Sequence, residues 1–436
     1  MADRYWVGGA ASWDATALLK WSTTSGGVGG AAVPTAVDDV YFNAASGAVT
    51  VTVAAAATCK NLTFTGFTGT FAGSSALTIS GSLTLVSAMT RTFTGVVTFD
   101  GTSANTITSN TKDLNSNVTF NGVSGSWQLA DNFVTGSTRT VTLTNGTLDI
   151  NGKTLTGGAF SSSNSNTRTV AFGTGGKFIA TRDNIAIWNT STSTGLTVTG
   201  DALVEATYSG AVGTRSFNGG ATSETNSVSL SVSAGTDSFT AQNNIRNLNL
   251  TGFAGTLTNS TRSVFGNLTV SSGVTLTAGA LVTTFAATSS KTITTNGKTL
   301  DFPLTFNGIG GTFAFQDALT QGSTRAFTIT EGTVQLKSGA TSTAGSFVAN
   351  STSVKYLQST TPGSQATISQ ASGTVTVSDL TIQDSNAAGG ASWNAYADFG
   401  NEDAGNNDGW NFGLSPPFAA YEPPIIIRSF TQPRRF

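Results

Sequence analysis

A block of this sequence occurs twice, and its two copies lie 186 residues apart. The segment 61–71 (NLTFTGFTGTF) returns as 247–257 (NLNLTGFAGTL). Further matches keep the same offset: VTFNG at 118–122 with LTFNG at 304–308, GSTR at 136–139 and 322–325, and GT at 146–147 and 332–333. A constant offset over some ninety residues indicates a tandem duplication of a whole block of strands.

Each block alternates apolar and polar residues over short stretches, which predicts strands with one buried face. Thr suits the outward positions because its β-branched side chain fits a pleated surface. The stretches lie at 62–64, 77–79, 83–85, 97–99, 118–120, 141–143 and 148–150. Asn-Gly pairs accept positive φ and predict tight turns at 121–122, 145–146, 151–152, 218–219, 296–297 and 307–308. Helix signals are nearly absent.

The strand pattern recurs every 14 to 25 residues, which matches one turn of a parallel β-helix, or β-solenoid, with two or three short strands per turn. About 340 residues in about 15 turns, at ~4.8 Å per turn, predict a rod of roughly 70 Å. The alternative is a pair of tandem β-sandwich domains, one per block. A sandwich should show longer strands with hairpin spacing, so the sequence favours the all-β solenoid.

Composition removes several classes of chemistry. The 436 residues include no His and one Cys, so a Ser-His-Asp triad, a Cys-His pair, the usual zinc sites and a disulfide framework cannot be built. Only 10% of the residues are charged and the net charge is −2, which argues against nucleic-acid binding. No phosphate-binding Gly-rich motif or run of 18 apolar residues occurs. We therefore predict no enzymatic activity, no cofactor, no metal, no nucleic-acid partner and no membrane insertion.

The two ends of the chain differ from its middle. Five tryptophans gather there, and we predict that they cap the solenoid, whose core and strand edges need covering at both ends: Trp6, Trp13, Trp21, Trp393 and Trp410. The predicted organisation is an N-terminal cap (1–45), solenoid blocks 46–235 and 236–386, a C-terminal cap (387–415) and an extended arm (416–436).

The arm is rich in Pro, which keeps it out of a sheet interior. Its apolar residues predict docking on a neighbouring subunit, with a disordered tail as the alternative: Phe418, Tyr421, Ile425, Ile426, Ile427, Phe430 and Phe436.

Carboxylates are the remaining candidates for catalysis, since a glycosidase needs only two of them. Four lie in the duplicated segments: Asp131, Asp149, Asp317 and Glu331. Asp131 and Asp317 match at the 186-residue offset, as do Arg139 and Arg325. Matched pairs favour structural roles that are repeated with the fold.

Two other features have a structural and a functional interpretation. An acidic, Asn- and Gly-rich loop offers oxygen ligands of the kind that Ca²⁺ takes: Asp398, Glu402, Asp403 and Asp408. It lacks the spacing of known calcium loops, so a solvated capping loop is favoured. Cys59, just before a strand, is interpreted as a buried and inert thiol.

The opening 5–14 (YWVGGAASWD), the Thr/Gly/Asn-rich coils and the closing 389–393 (GGASW) and 406–412 (NNDGWNF) resemble virion proteins of tailed bacteriophages. Low-charge β-helical repeats of this kind occur in phage tail spikes, fibres and head-decoration proteins, and in bacterial surface adhesins. The resemblance implies synthesis in a host cytoplasm, assembly onto a particle and often a homotrimer, but it carries over no catalytic residue. The sequence begins without a signal-peptide pattern, which agrees with that expectation.

We therefore expect a non-enzymatic structural protein of a virion, a fibre, spike or capsid decoration. Its expected partners are copies of itself, other virion proteins and host surface glycans. Two alternatives remain open at this point: a polysaccharide-degrading tail spike that uses paired carboxylates, and an adhesin on a bacterial cell surface.

Overall fold

A computed structural model describes residues 2–16, 19–221 and 223–416. The chain winds into a parallel β-solenoid of about 16 turns with about 22 residues per turn. The described residues include no α-helix, and short 3-10 helices occur at Ala44–Ser46 and Ala397–Phe399. The predicted solenoid is confirmed, and the alternative of tandem sandwiches is wrong.

The strands are numbered in chain order. The first third of them comprises β1 Asp3–Trp6, β2 Ala11–Trp13, β3 Trp21–Ser22, β4 Asp39–Tyr41, β5 Thr50–Val53, β6 Ala57–Cys59, β7 Leu62–Thr63, β8 Thr70–Gly73, β9 Leu77–Ile79, β10 Leu83–Thr84, β11 Thr90–Arg91, β12 Val97–Phe99, β13 Ala104–Thr108, β14 Val118–Leu129 and β15 Phe133–Asp149. The middle third comprises β16 Thr154–Ser161, β17 Arg168–Ala171, β18 Lys177–Ala180, β19 Ala186–Asn189, β20 Leu196–Thr199, β21 Leu203–Ala206, β22 Thr214–Gly219, β23 Ser229–Val232, β24 Ser238–Ile245, β25 Leu248–Asn249, β26 Thr256–Leu257, β27 Arg262–Val264, β28 Leu268–Thr269, β29 Thr275–Leu276 and β30 Thr283–Phe285. The last third comprises β31 Ser290–Thr294, β32 Thr299–Leu300, β33 Leu304–Phe315, β34 Thr320–Gln321, β35 Ala326–Leu336, β36 Thr341–Thr343, β37 Ser346–Val348, β38 Lys355–Ser359, β39 Ala366–Gln370, β40 Thr374–Thr376, β41 Leu380–Gln383, β42 Ser385–Gly389, β43 Ser392–Asn394, β44 Glu402–Asp403 and β45 Trp410–Asn411.

Each turn contributes one strand to each of three faces. In the first complete turn these strands are β5, β6 and β7, which we use to name the first, second and third faces. They pair in parallel with β8, β9 and β10 of the next turn. Long strands such as β14 and β15 bend around a corner and serve two faces. Because the strands of one turn pair in parallel with those of the next, the backbone hydrogen bonds run along the rod axis.

The alternation of residue types places Val51, Cys59 and Leu62 in the core and their Thr neighbours outside it. Aromatic rings stack between successive turns: Phe42 and Phe64 have ring centroids 5.0 Å apart and nearly parallel planes. This spacing is close to the separation of hydrogen-bonded strands. The core is therefore continuous from turn to turn.

The duplication is visible in the core as two clusters of three rings. They are Phe99, Phe120 and Trp127 in the first block and Phe285, Phe306 and Phe313 in the second. The stacked pair is 5.1 Å apart in both clusters. The two blocks therefore repeat the packing of side chains as well as the order of strands.

The second block is rotated by one face relative to the first, which the sequence did not predict. Leu62 and Ile107 belong to the third face, together with β10 between them. Their counterparts Leu248 and Ile293 lie in a different column of paired strands, which passes through Phe133 in the first block. The cause is arithmetic, because 186 residues are not a whole number of turns of about 22 residues.

The N-terminal edge of the rod ends in an antiparallel strand. β1 pairs in parallel with β4 on one side and antiparallel with β3 on the other. Above it the buried indoles of Trp6, Trp13 and Trp21 pack around Phe42. An antiparallel strand and bulky rings stop the parallel stacking from continuing to another chain.

Candidate functional site

The matched carboxylates Asp131 and Asp317 each hold a turn of the preceding coil. Asp131 accepts hydrogen bonds from the backbone N–H groups of Ser109 and Asn110, at 2.8 and 2.6 Å. Asp317 accepts in the same way from the N–H of Thr295, at 2.9 Å, and from its hydroxyl, at 3.0 Å. These contacts fasten one turn to the next and occupy the carboxylates.

The two unmatched carboxylates are also engaged. Asp149 accepts from the N–H of Asn151 at 2.8 Å and from the side-chain amide of Gln128 at 2.8 Å. Glu331 accepts from the hydroxyl of Ser353 at 2.9 Å. Hydrogen-bonded carboxylates of this kind serve as turn and ladder supports, so the structure gives each of the four a structural role.

The matched arginines follow the same rule. Arg139 Nε donates to the side-chain oxygen of Asn115 at 3.2 Å, and Arg325 Nε donates to the carboxylate of Asp301 at 2.7 Å. Asn115 and Asp301 are themselves counterparts at the 186-residue offset. The Gly-Ser-Thr-Arg corner is therefore repeated together with its partner in the previous turn.

The acidic loop near the C-terminal end divides its carboxylates among separate partners. Asp398 accepts from the N–H and hydroxyl of Ser415 at 2.9 and 2.6 Å, and these bonds lower the pKa of Asp398. Asp403 accepts from the amide of Asn407 at 2.6 Å. Across the described ranges no three His, Cys, Asp or Glu side chains come together as a metal site would need. The loop therefore offers a set of turn contacts.

Cys59 is fully buried under the second face. Burial raises the pKa of its thiol, and the nearby charges of Asp39 and Asp100 add to the effect. A thiol of this kind stays protonated at neutral pH and has little nucleophilic character.

The five predicted cap tryptophans lie at the two ends of the core. Trp393 and Trp410 are partners in register on β43 and β45, with ring centroids 5.0 Å apart. The indoles of Trp13 and Trp21 make edge-to-face contact at 5.1 Å. These rings are the inward side chains of the terminal turns, continuous with the core and not a separate lid. The predicted arm residues Phe418, Tyr421, Ile425, Ile426, Ile427, Phe430 and Phe436 lie outside the described residues.

Buried cations are the feature that sequence reasoning missed. Arg168 is 1% exposed and donates to four backbone carbonyls: Ser162, Asn166, Thr192 and Thr194. Lys355 is buried too and donates to the carbonyls of Ser351 and Ser353. Arg168 pairs with Gly146, and Lys355 pairs with Gly332, the counterpart of Gly146. The available signal was a basic residue at an inward position in a chain of low charge.

A projecting corner is repeated on the surface. In both blocks the chain leaves the ladder for a Gly-x-x-Gly loop, with register shifts at 121–126 and 307–312. The glycines press on the preceding turn, since a Cβ at Gly122 would stand 1.8 Å from the carbonyl oxygen of Gly101. The tip residues Val123 and Ile309 are 66% and 73% exposed. The fold explains the glycines of this corner and does not require its apolar tip.

Comparisons with known proteins give no further lead. No family model matches the chain, and no curated protein or solved structure matches it either. Within the described residues, no helix has the length and apolar character needed to cross a membrane.

Proposed function

We propose that the protein is a non-enzymatic structural component of a bacteriophage particle, a fibre, spike or head decoration. The observation that carries the proposal is the uninterrupted solenoid itself. About 16 turns at ~4.8 Å per turn give a rod of about 77 Å, stiffened by hydrogen bonds along its axis. A rod of this kind holds two points apart, which is the task of a fibre or spike.

The chemistry of the polar groups supports a structural role. The four carboxylates that best fitted a glycosidase each accept hydrogen bonds inside the fold. Two of them are repeated with the blocks as turn supports. In this proposal the protein works as a spacer that binds neighbouring proteins, and host surface glycans are candidate ligands at its far end.

The repeated corner supports contact with a partner. Val123 and Ile309 expose β-branched side chains at matched positions, although each block could expose a polar residue there at no cost to the fold. We propose that these two tips contact other virion proteins or other copies of the chain, with a homotrimer as the expected assembly. The rotation of the second block directs the two tips to different sides of the rod.

The test is quantitative mass spectrometry on purified particles of the phage that encodes the chain. The proposal predicts that the protein is present in a copy number divisible by three. Its absence from particles would overturn the proposal, and its recovery from washed bacterial envelopes would support the surface adhesin. Release of reducing sugars from host capsule by the purified chain would instead establish the polysaccharide-degrading spike.

The corner is tested by the double substitution Val123→Ser and Ile309→Ser. Because both side chains point into solvent in the isolated rod, the variant folds normally and its copy number on particles falls. The matched control is Val212→Ser, at a residue that is 76% exposed and has no repeated counterpart. Equal copy numbers for both variants would show that the corner is not a contact.

A further inference from the structure

Each duplicated block encloses a small cavity of about 10 Å³, and the two cavities are the same site in two copies. The first is lined by Leu62, Leu77, Arg91, Val97 and Leu114. The second is lined by their counterparts Leu248, Arg262, Leu276, Thr283 and Leu300. A volume of this size holds one water molecule or one monatomic ion.

The cavities differ in which wall supplies a positive charge. Leu77 pairs with Val97, and Arg262 pairs with Thr283, so Arg262 occupies the position of Leu77. Thr90 and Arg91 pair with Thr70 and Phe71, and Leu276 has the equivalent place on β29. Leu276 therefore occupies the position of Arg91.

A Leu-to-Arg difference at one wall is thus matched by an Arg-to-Leu difference at another. Each cavity keeps one guanidinium, although the strand that supplies it has changed. Retention of a charge by two different routes points to a requirement of the cavity and not of either strand.

Polar atoms of the second cavity lack partners. Arg262 is 3% exposed, and its Nη2 donates to the carbonyl of Thr258 and the hydroxyl of Ser260. Its Nε and the buried hydroxyl of Thr283 have no hydrogen-bond partner. Burial lowers the pKa of Arg262 to about 10.

The first cavity has the same deficit. Arg91 Nη2 donates to the hydroxyl of Ser116 at 2.7 Å, while its buried Nη1 has no partner. Burial, together with the charge of Arg139, lowers the pKa of Arg91 to about 9. The contrast is Arg215, also buried, which forms a two-bond ion pair with Asp237. In the described part of the chain neither Arg91 nor Arg262 has such a carboxylate.

A buried cation without a counter-charge is costly, and an unmet N–H donor adds to that cost. A water molecule would accept a hydrogen bond but leave the charge, whereas an anion does both. The cavity is too small for phosphate, sulfate or a carboxylate. We propose that each interior cavity binds one monatomic anion, with chloride as the expected ion, against its buried guanidinium. This anion site is independent of the proposed role on a particle.

The experiment is long-wavelength anomalous diffraction on crystals of the full chain prepared in sodium chloride. Chloride scatters anomalously at such wavelengths and water does not. We expect one peak in each cavity, comparable in height with the peaks at the sulfur atoms of Cys59 and Met89, which serve as internal standards. Water density without an anomalous peak, or an empty cavity, would overturn the proposal.

Matched variants assign each peak to its guanidinium. Arg262→Leu installs the residue that the first cavity has at this wall, and we expect it to abolish the second peak and spare the first. Arg91→Leu gives the reverse result. A peak that survives the removal of its arginine contradicts the proposal.

Thr283→Val introduces the residue type that Val97 supplies to the first cavity. It is the milder variant because it keeps the arginine. It removes one donor, so roughly tenfold more chloride is needed for the same peak height. An unchanged peak height across a chloride series would contradict the role of this hydroxyl.

Discussion

Thr111 is strained in a way that its own repeat reveals. It follows Asn110 in a tight turn, and its φ is +67°, a region that β-branched residues avoid. The counterpart turn has Asn296 and Gly297, with φ of +50° and +71°. Both turns close with the same backbone hydrogen bond, from the N–H of Lys112 or Lys298 to the residue three before it. One turn therefore uses Thr where its copy uses Gly.

Substitution of Thr111 by Gly should stabilise this turn by about 1 kcal/mol. A left-handed conformation costs an L-residue about 1–2 kcal/mol. Gly removes that cost and returns part of it, about 0.5–1 kcal/mol, through its greater freedom in the unfolded chain. The side chain of Thr111 is exposed, so little packing is lost.

The assay is native-state hydrogen exchange at the amide of Lys112, whose hydrogen bond closes the turn. A gain of ~1 kcal/mol slows exchange by local opening about fivefold. Gly297→Thr is the matched control, and it should speed exchange at Lys298 by a similar factor. No change at Lys112 together with no change at Lys298 would refute the argument that backbone strain separates the two turns.

Three other substitutions or reactions test particular contacts. Arg168→Leu leaves four carbonyls without their donor and should cost about 3 kcal/mol in unfolding free energy, while Arg168→Lys, which copies the residue type of the second block, should cost clearly less; equal losses in thermal unfolding would contradict this. Gly122→Ala forces a Cβ onto the carbonyl of Gly101 and should lower stability by more than about 2 kcal/mol, whereas Gly310→Ser, at a position open to solvent, should be tolerated; if both variants melt alike, the close approach is not the cause. The thiol of Cys59, whose pKa is raised by burial, should resist an aromatic disulfide reagent at pH 8 and react once per chain after denaturation, and stoichiometric reaction in the native state would show that it is accessible.

The fold was within reach of the sequence because its signals are local and repeated. Alternation at Leu77 and Ile79, or at Val97 and Phe99, fixes which side of a strand faces the core. The 186-residue offset then implies that whole turns are copied. Short strands with Asn-Gly turns between them favour a coil of many turns, and the structure has about 22 residues in each.

The rotation of the second block was out of reach because it depends on the exact length of each corner. The loop at 121–126 has more residues than the one opposite it in the next turn, and such differences accumulate. The exchange of Leu77 and Arg91 for Arg262 and Leu276 was hidden for a similar reason. Between these positions the offset falls from 186 to 185, so only the strand pairing identifies the counterparts.

The central claim is that both blocks form one continuous, rigid solenoid. Small-angle X-ray scattering of the purified chain tests it most directly. The account predicts a rod-like distance distribution with a length of about 80 Å, the length of about 16 stacked turns. A distribution with two separate maxima, as two compact domains joined by a flexible linker would give, would contradict it.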